Sequence, residues 1–285
     1  MLIACAGYRY AGKNLDLTGK LNEILTHLPT LQQLVVVPYA NTSCTADDFQ
    51  TEAKVECWED FYQAEGEPSF TPVPFEQPLY ILYSSGTTGV PKCIVHGAGG
   101  TLLQHVKELG LHSDVGADDT LFYYTTCGWM MWNWLVSGLA LGATLVLYDG
   151  SPFHPEPTRL IDLIDAEEIS VFGTSAKFIA ALEKAGAKPR ETHKLSRLKA
   201  ILSTGSPLAH ESFDYVYRDI KTDVCLSSIS GGTDIVSCFA LGNPVSPVYR
   251  GEIQCKGLGM DVQVWNDAGQ PVIGEKGELV CAKHF

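Results

Sequence analysis

The sequence predicts an α/β protein with doubly wound, mostly parallel sheets carrying helices on both faces. An antiparallel or barrel-like β section follows at the C-terminal end. Three observations carry this. Between Thr120 and Ser228 short apolar runs alternate with stretches of helical spacing, the pattern of repeated βαβ units. From Ile235 onward the texture changes to short alternating segments separated by Gly, Pro, Asn and Asp turns. Loops rich in Gly, Ser and Thr follow several apolar runs, at the strand ends where an open α/β sheet binds its ligands.

Taken in order, Leu2–Ala6 reads as a strand and Gly7 as a turn. Leu17, Leu21, Ile24, Leu25 and Leu28 give residues 15–28 the spacing of a helix, stopped by Pro29. Gln33–Val37 is a buried-strand candidate, completing a first βαβ unit. Residues 41–78 form a polar, Pro-rich connection in which Trp58, Phe61 and Tyr62 make a local anchor. Leu79–Tyr83 reads as a buried strand, and Cys93–Val95 resumes that character. A helix over Gly100–Leu109 and a strand over Thr120–Thr125 come next. Residues 128–148 carry no charge and are long enough to span a bilayer. Asn133, Ser137, Gly138, Gly142 and Thr144 break that run into a buried helix, a turn near Gly142 and a strand over Thr144–Leu147, so no membrane span is expected.

Thr158 is placed to cap a helix reaching Glu168, with Leu160, Ile161, Leu163 and Ile164 on one face. Strands over Val171–Thr174, Leu198–Ser203 and Val224–Ser228 alternate with helices over Ala176–Ala185 and Ala209–Ile220. The last part offers strands over Val236–Ala240, Arg250–Gln254, Met260–Trp265 and Glu278–Ala282, with a hairpin signal in N-D-A-G at 266–269. The expected organisation is an incomplete α/β segment with its connection (1–78), a nucleotide-binding α/β part (79–234) and a β-rich part (235–285).

Composition narrows the function. The chain has 285 residues, 45% hydrophobic and 19% charged, as a globular fold requires. A net charge of −13 with no Lys/Arg cluster argues against nucleic-acid binding. Nine cysteines, never spaced C-x-x-C, indicate free thiols in a reducing cytosol rather than disulfides or zinc. The N-terminus lacks the basic start of a signal peptide. His96 and His193 read as ordinary polar or capping residues, and neither a G-x-S-x-G elbow nor an H-E-x-x-H motif is present.

The chemistry concentrates in loops. Ser84, Ser85, Thr87 and Thr88, hinged by Gly86 and Gly89 and followed by Lys92, combine hydroxyl donors, close backbone approach and a cation, as a polyphosphate requires. This is not a Walker loop, because no G-K-[ST] follows at the required spacing. S-T-G-S-P-L (203–208) lies between a strand and a helix and would also serve as a plain helix start. S-S-I-S-G-G-T-D-I (227–235) follows another strand and would otherwise be a Gly-Gly turn with a solvated Asp.

Y-S-S-G-T-T-G-V-P-K (83–92) resembles the phosphate loop of the adenylate-forming superfamily of acyl-CoA synthetases, luciferases and adenylation domains. The resemblance implies that residues 84–89 and Lys92 embrace the β- and γ-phosphates of ATP. It implies that Gly205, Ser206 and Pro207 lie beside the adenine and that Ser228, Ile229, Ser230, Gly231 and Gly232 form the second nucleotide segment. Thr233 would contact the α-phosphate and Asp234, where most relatives carry Glu, would hold Mg²⁺. Trp129 would stand near the acyl and pantetheine passage, and Gly231, where acetate-using relatives carry Trp, would admit a longer acid.

G-Y-R-Y-A-G-K (7–13), C-G-W-M-M-W-N-W (127–134) and S-I-S-G-G-T-D-I (228–235) resemble the branch that activates acetoacetate with ATP and passes it to CoA. No ribose-binding T-G-D element or lysine-bearing C-terminal domain follows, and relatives carry a long region before G-Y-R-Y. The chain is therefore expected to be a fragment that does not sustain thioester formation alone. Another short-chain acid as substrate and a non-catalytic nucleotide-binding module are the alternatives. A phosphotransferase is disfavoured by the lack of a base or a Walker pair.

Overall fold

The computed structural model describes residues 1–40, 45–62, 65–84 and 89–285. Two compact units result: residues 1–72 with 149–156, and residues 73–148 with 157–285.

In the first unit, strands Leu2–Cys5, Gln33–Val37 and Lys54–Cys57 form a parallel sheet with Gln33–Val37 central. Helix Thr18–Thr26 buries Leu21 and Leu25 with Leu34, Val36 and Phe49, so the first βαβ unit forms as expected. Gly7 does not turn the chain. Gly7–Tyr10 and Lys13–Asp16 pair as a hairpin whose central residues, Ala11 and Gly12, have positive φ, the dihedral signature of a tight two-residue hairpin turn. That pairing delays the helix to Thr18, whose N–H and hydroxyl bond the Asp16 carboxylate at 2.9 and 2.7 Å. Strand Lys54–Cys57 lies inside the expected connection; Val55 and Cys57 alternate with Lys54 and Glu56, but four residues, two of them charged, give only a weak strand signal within a polar stretch. Trp58 stacks on Tyr62 at 5.7 Å, as the local anchor reading requires.

The second unit is built on a five-stranded parallel sheet. Its spatial order is Cys225–Ser228, Ala200–Thr204, Val171–Ser175, Thr120–Tyr123, Thr144–Val146. Strand alternation sends Phe122, Phe172, Ile201 and Leu226 to one face, where they pack with residues of helices Arg159–Ala166, Ala176–Lys184 and His210–Tyr215. Leu121, Tyr123, Val171, Ala200 and Leu202 face the other way, against Leu109, Trp134 and Leu135. Helices on both faces of a parallel sheet thus follow from apolar runs that bury both sides of each strand. Helix Met130–Val136, a 3-10 turn over Ser137–Leu141 and the strand Thr144–Val146 resolve the uncharged stretch. Among the described residues no helix is long and apolar enough to cross a membrane.

Pro78–Ser84 and Lys92–Gly97 form a two-stranded antiparallel ribbon. The expected buried strand is there but not buried: Leu79, Ile81 and Tyr83 are exposed, because the strand has one partner among the described residues and alternation turns these three to the same side. The C-terminal section is antiparallel as predicted. Ser230–Gly232, Ser237–Leu241 and Cys255–Lys256 form one sheet, and Val262–Trp265 pairs with Glu278–Cys281. Residues 250–254 are not a strand. Arg250 makes a bidentate pair with Asp214, and the Gln254 side chain donates to the carbonyls of Asn243 and Ser246.

Candidate active site

A cavity of about 390 Å³ opens at the C-terminal ends of strands Ala200–Thr204 and Cys225–Ser228. Its volume lies in the range of small-molecule sites. The structure brings together here Gly205, Ser206 and Pro207 from one loop with Ser228, Ile229, Ser230 and Gly231 from the other. The two loops are tied by the Ile229 N–H donating to the Ser203 carbonyl at 2.8 Å and the Thr204 hydroxyl donating to the Ile229 carbonyl at 3.3 Å. Thr174 and Ser203 lie in the same cross-strand row as Ser228. Their buried hydroxyls have no hydrogen-bond partner among the described residues. Gly251 and Ile253 complete the wall; nothing in their local sequence marks them, since only the return of the C-terminal section brings them near.

Size alone does not select this cavity. A larger one, about 700 Å³, holds none of the predicted site residues. Most of its charged wall is already paired, Lys188 with Glu191 at 3.1 Å and Arg218 with Asp219 at 2.6 Å.

Gly231 answers a second demand besides bordering the cavity. It faces Cys238 across the Ser230–Gly232/Ser237–Leu241 pair, beside a register shift. A Cβ there would lie 2.3 Å from the Ser237 carbonyl oxygen and 2.9 Å from Cys238 Cα, so the close approach of two backbones requires glycine.

Gly232 ends that short strand and Thr233–Val236 forms a turn, with the Val236 N–H on the Thr233 carbonyl at 3.3 Å. Thr233 is half-buried and Asp234 exposed, with no ion pair to any described residue. On the ribbon, Ser84 stands opposite Lys92 in the terminal pair, and the exposed Lys92 likewise has no ion pair to a described residue. Gly89 has φ +103°. Ser85, Gly86, Thr87 and Thr88 lie outside the described residues. His96, four residues beyond Lys92, donates from Nε2 to the Thr233 carbonyl at 2.9 Å, linking the strand that carries Lys92 to the turn that carries Asp234. Trp129 precedes helix Met130–Val136, is 71% exposed and does not line the cavity. Its neighbour Trp134 is fully buried.

Sequence reasoning missed a set of buried polar side chains on the helix that starts at Ala98. Thr101, His105, Glu108 and His112 are buried, while Leu102 and Leu103 on the same segment are exposed. The spacing i, i+4, i+7, i+11 is helical, so the signal was a polar stripe where an apolar one is normally sought. Burial holds the His105 and His112 imidazoles below their ordinary pKa.

With this geometry in hand, the class of protein follows. Residues 10–285 match the model of the AMP-binding enzyme family, and the chain belongs to that family. More narrowly, the chain is 57% identical over 288 residues to acetoacetyl-coenzyme A synthetase of Rhizobium meliloti (strain 1021), covering 100% of this chain and 44% of that protein. It is 45% identical to malonamoyl-CoA synthetase vrtB of Penicillium aethiopicum, covering 95% of this chain and 40% of that one. Among solved structures, acetoacetyl-CoA synthetase from Streptomyces lividans superposes with a TM-score of 0.91 at 43% identity, over 98% of this chain and 42% of that chain. The chain thus spans less than half the length of the relatives it matches.

Proposed function

We propose that this chain is the nucleotide-binding portion of an AMP-forming acid–thiol ligase that activates acetoacetate with ATP and passes the acyl group to CoA. The observation that carries the reading is the convergence of residues 205–207 and 228–231, two loops separated in sequence, on one cavity at the ends of adjacent parallel strands. The names of the relatives support the acid. In this reading Gly205, Ser206 and Pro207 flank the adenine, and Lys92 with the hydroxyls of residues 84–88 neutralises the β- and γ-phosphates. The Thr233 hydroxyl donates to the α-phosphate. The substrate carboxylate attacks the α-phosphorus, forming a C–O–P bond as pyrophosphate leaves with the electrons of the broken P–O bond. The CoA sulfur then attacks the acyl carbon and AMP departs. Positioning and charge neutralisation are what the protein supplies, so no Ser-His-Asp arrangement is required.

For Mg²⁺, the donor set fits. Among the described residues no three His, Cys, Asp or Glu side chains cluster as a protein-only metal site. Mg²⁺ bound with nucleotide needs only one or two carboxylates besides phosphate oxygens and water, and Asp234 is exposed and has no ion pair to a described residue. Asp234 would hold the ion, which supplies charge neutralisation. Trp129 and Gly231 are retained as candidates for the acyl passage. The eight described cysteines are all free, which suits a reducing cytosol.

The relative named malonamoyl-CoA synthetase, at 45% identity, favours a second reading in which the same machinery takes another short-chain acid. The test is acid-dependent pyrophosphate release by a polypeptide carrying this chain with its flanking coding sequence, scanning acetoacetate, malonamate and acetate, and repeated with Asp234→Asn. Release with acetoacetate, lost in the variant, is expected. Nucleotide binding without acid-dependent release from any of the three would refute ligation and leave a binding module.

A further inference from the structure

The Thr233–Val236 turn has an unusual backbone. Val236, a β-branched residue, sits at φ +48°. That conformation costs such a residue free energy and persists only where the surroundings over-determine it. The surroundings do so from one side. His96 Nε2 donates to the Thr233 carbonyl at 2.9 Å, and His105 Nε2 donates to the Val236 carbonyl at 2.6 Å. The first and last carbonyls of the turn are therefore each gripped by an imidazole. Immediately after the turn, the Ser237 hydroxyl donates to Glu108 Oε1, and the Cys238 N–H donates to the same oxygen at 3.0 Å.

The grip is itself braced. Glu108 is fully buried; its Oε2 accepts the Trp134 indole N–H at 3.0 Å, and Lys107 Nζ lies 3.7 Å from Oε1. His105 Nδ1 lies 2.9 Å from Ser137 Oγ, and Gln104 donates to Ser237 Oγ at 3.1 Å. A buried carboxylate with three donors is satisfied and rigid, whereas one deprived of a donor is costly, so each part of the network enforces the others. None of these groups borders the cavity, and the turn they hold has its one carboxylate exposed.

We propose that His96, His105 and Glu108 are positioning residues that clamp the Thr233–Val236 turn and thereby fix where Thr233 and Asp234 present their side chains. What the turn does with a nucleotide rests on the function proposed above; that the turn is clamped does not.

The test uses the 285-residue chain and two variants, His96→Leu and Glu108→Gln. Amide hydrogen exchange is followed in a peptide covering 230–240 and, as reference, in peptides from strands Val171–Ser175 and Ala200–Thr204. ATP affinity is measured with Mg²⁺ and with EDTA. The clamp predicts that exchange in 230–240 accelerates by about tenfold or more in either variant while the sheet changes by less than about twofold. His96→Gln, whose amide also donates, restores slow exchange. Affinity for ATP with Mg²⁺ falls about fivefold in His96→Leu, and the value in EDTA does not change. Unchanged exchange in 230–240, or equal acceleration in the turn and the sheet in both variants, overturns the clamp. Faster exchange with undiminished Mg²⁺-dependent affinity overturns the positioning role. If the unsubstituted chain binds no ATP, the nucleotide reading fails and the exchange data still decide whether the turn is clamped.

Discussion

Replacing Gly231 by alanine separates two accounts of that residue. If glycine is there to leave room for the acid, one added methyl group trims the pocket and alters acid preference, with stability untouched. The backbone says otherwise. The new Cβ would meet the Ser237 carbonyl oxygen at 2.3 Å, roughly 1 Å inside ordinary van der Waals contact. The obstacle is main chain, not a side chain that can rotate away, so the Ser230–Gly232 and Ser237–Leu241 strands must separate or the neighbouring register shift must move. Overpacking of this kind costs about 1–3 kcal/mol. The strain falls on the segment that carries Ser228 to Asp234, so ATP affinity should drop together with stability. Urea unfolding followed by circular dichroism gives the first quantity and ATP titration the second. An unchanged urea midpoint and ATP affinity, accompanied by a shifted acid preference in the flank-extended polypeptide, would refute the close-approach argument and restore Gly231 as a simple determinant of pocket volume.

Lys92 has no partner among the described residues, so Lys92→Met should leave the urea midpoint where it is and weaken ATP binding about tenfold. Equal affinity in the two proteins would remove Lys92 from the phosphate site. A third expectation concerns pH. Burial depresses the pKa of His105 and His112 below the ordinary value of 6.5, so the unfolded chain takes up those protons more readily. Stability should therefore be fully present above about pH 6.5 and decline as pH falls toward the folded values. His112 receives the Leu258 N–H on Nε2 at 3.0 Å while Nδ1 donates to the Gly242 carbonyl at 2.9 Å, an arrangement only the neutral ring can make. His112→Asn should flatten part of the pH dependence of the urea midpoint between about pH 7.5 and 5.5, and an identical slope would exclude this histidine as a contributor.

The order of strands and helices from Thr120 to Ser228, the antiparallel change after Ile235 and the two loops that border the cavity were legible because each has a local cause. An apolar run long enough to bury both faces, a helical spacing of leucines and a Gly-Ser-Pro turn are facts about neighbouring residues. Local pattern also explains the misses. Lys54–Cys57 alternates over only four residues, too short a signal to stand out in a polar stretch, and Leu79, Ile81 and Tyr83 are apolar without being buried, because burial depends on what lies across a strand and not on the strand itself.

Tertiary structure alone decided the rest. Gly251 and Ile253 reach the cavity only through the return of the C-terminal section. The Glu108 carboxylate finds its donors at Trp134, Ser237 and Cys238, the last 130 residues along the chain, and no pattern within residues 98–112 announces those partners. Hydrophobic periodicity reports burial only when burial is apolar. A buried polar stripe is stable solely because distant groups satisfy it, and those groups are chosen by the fold.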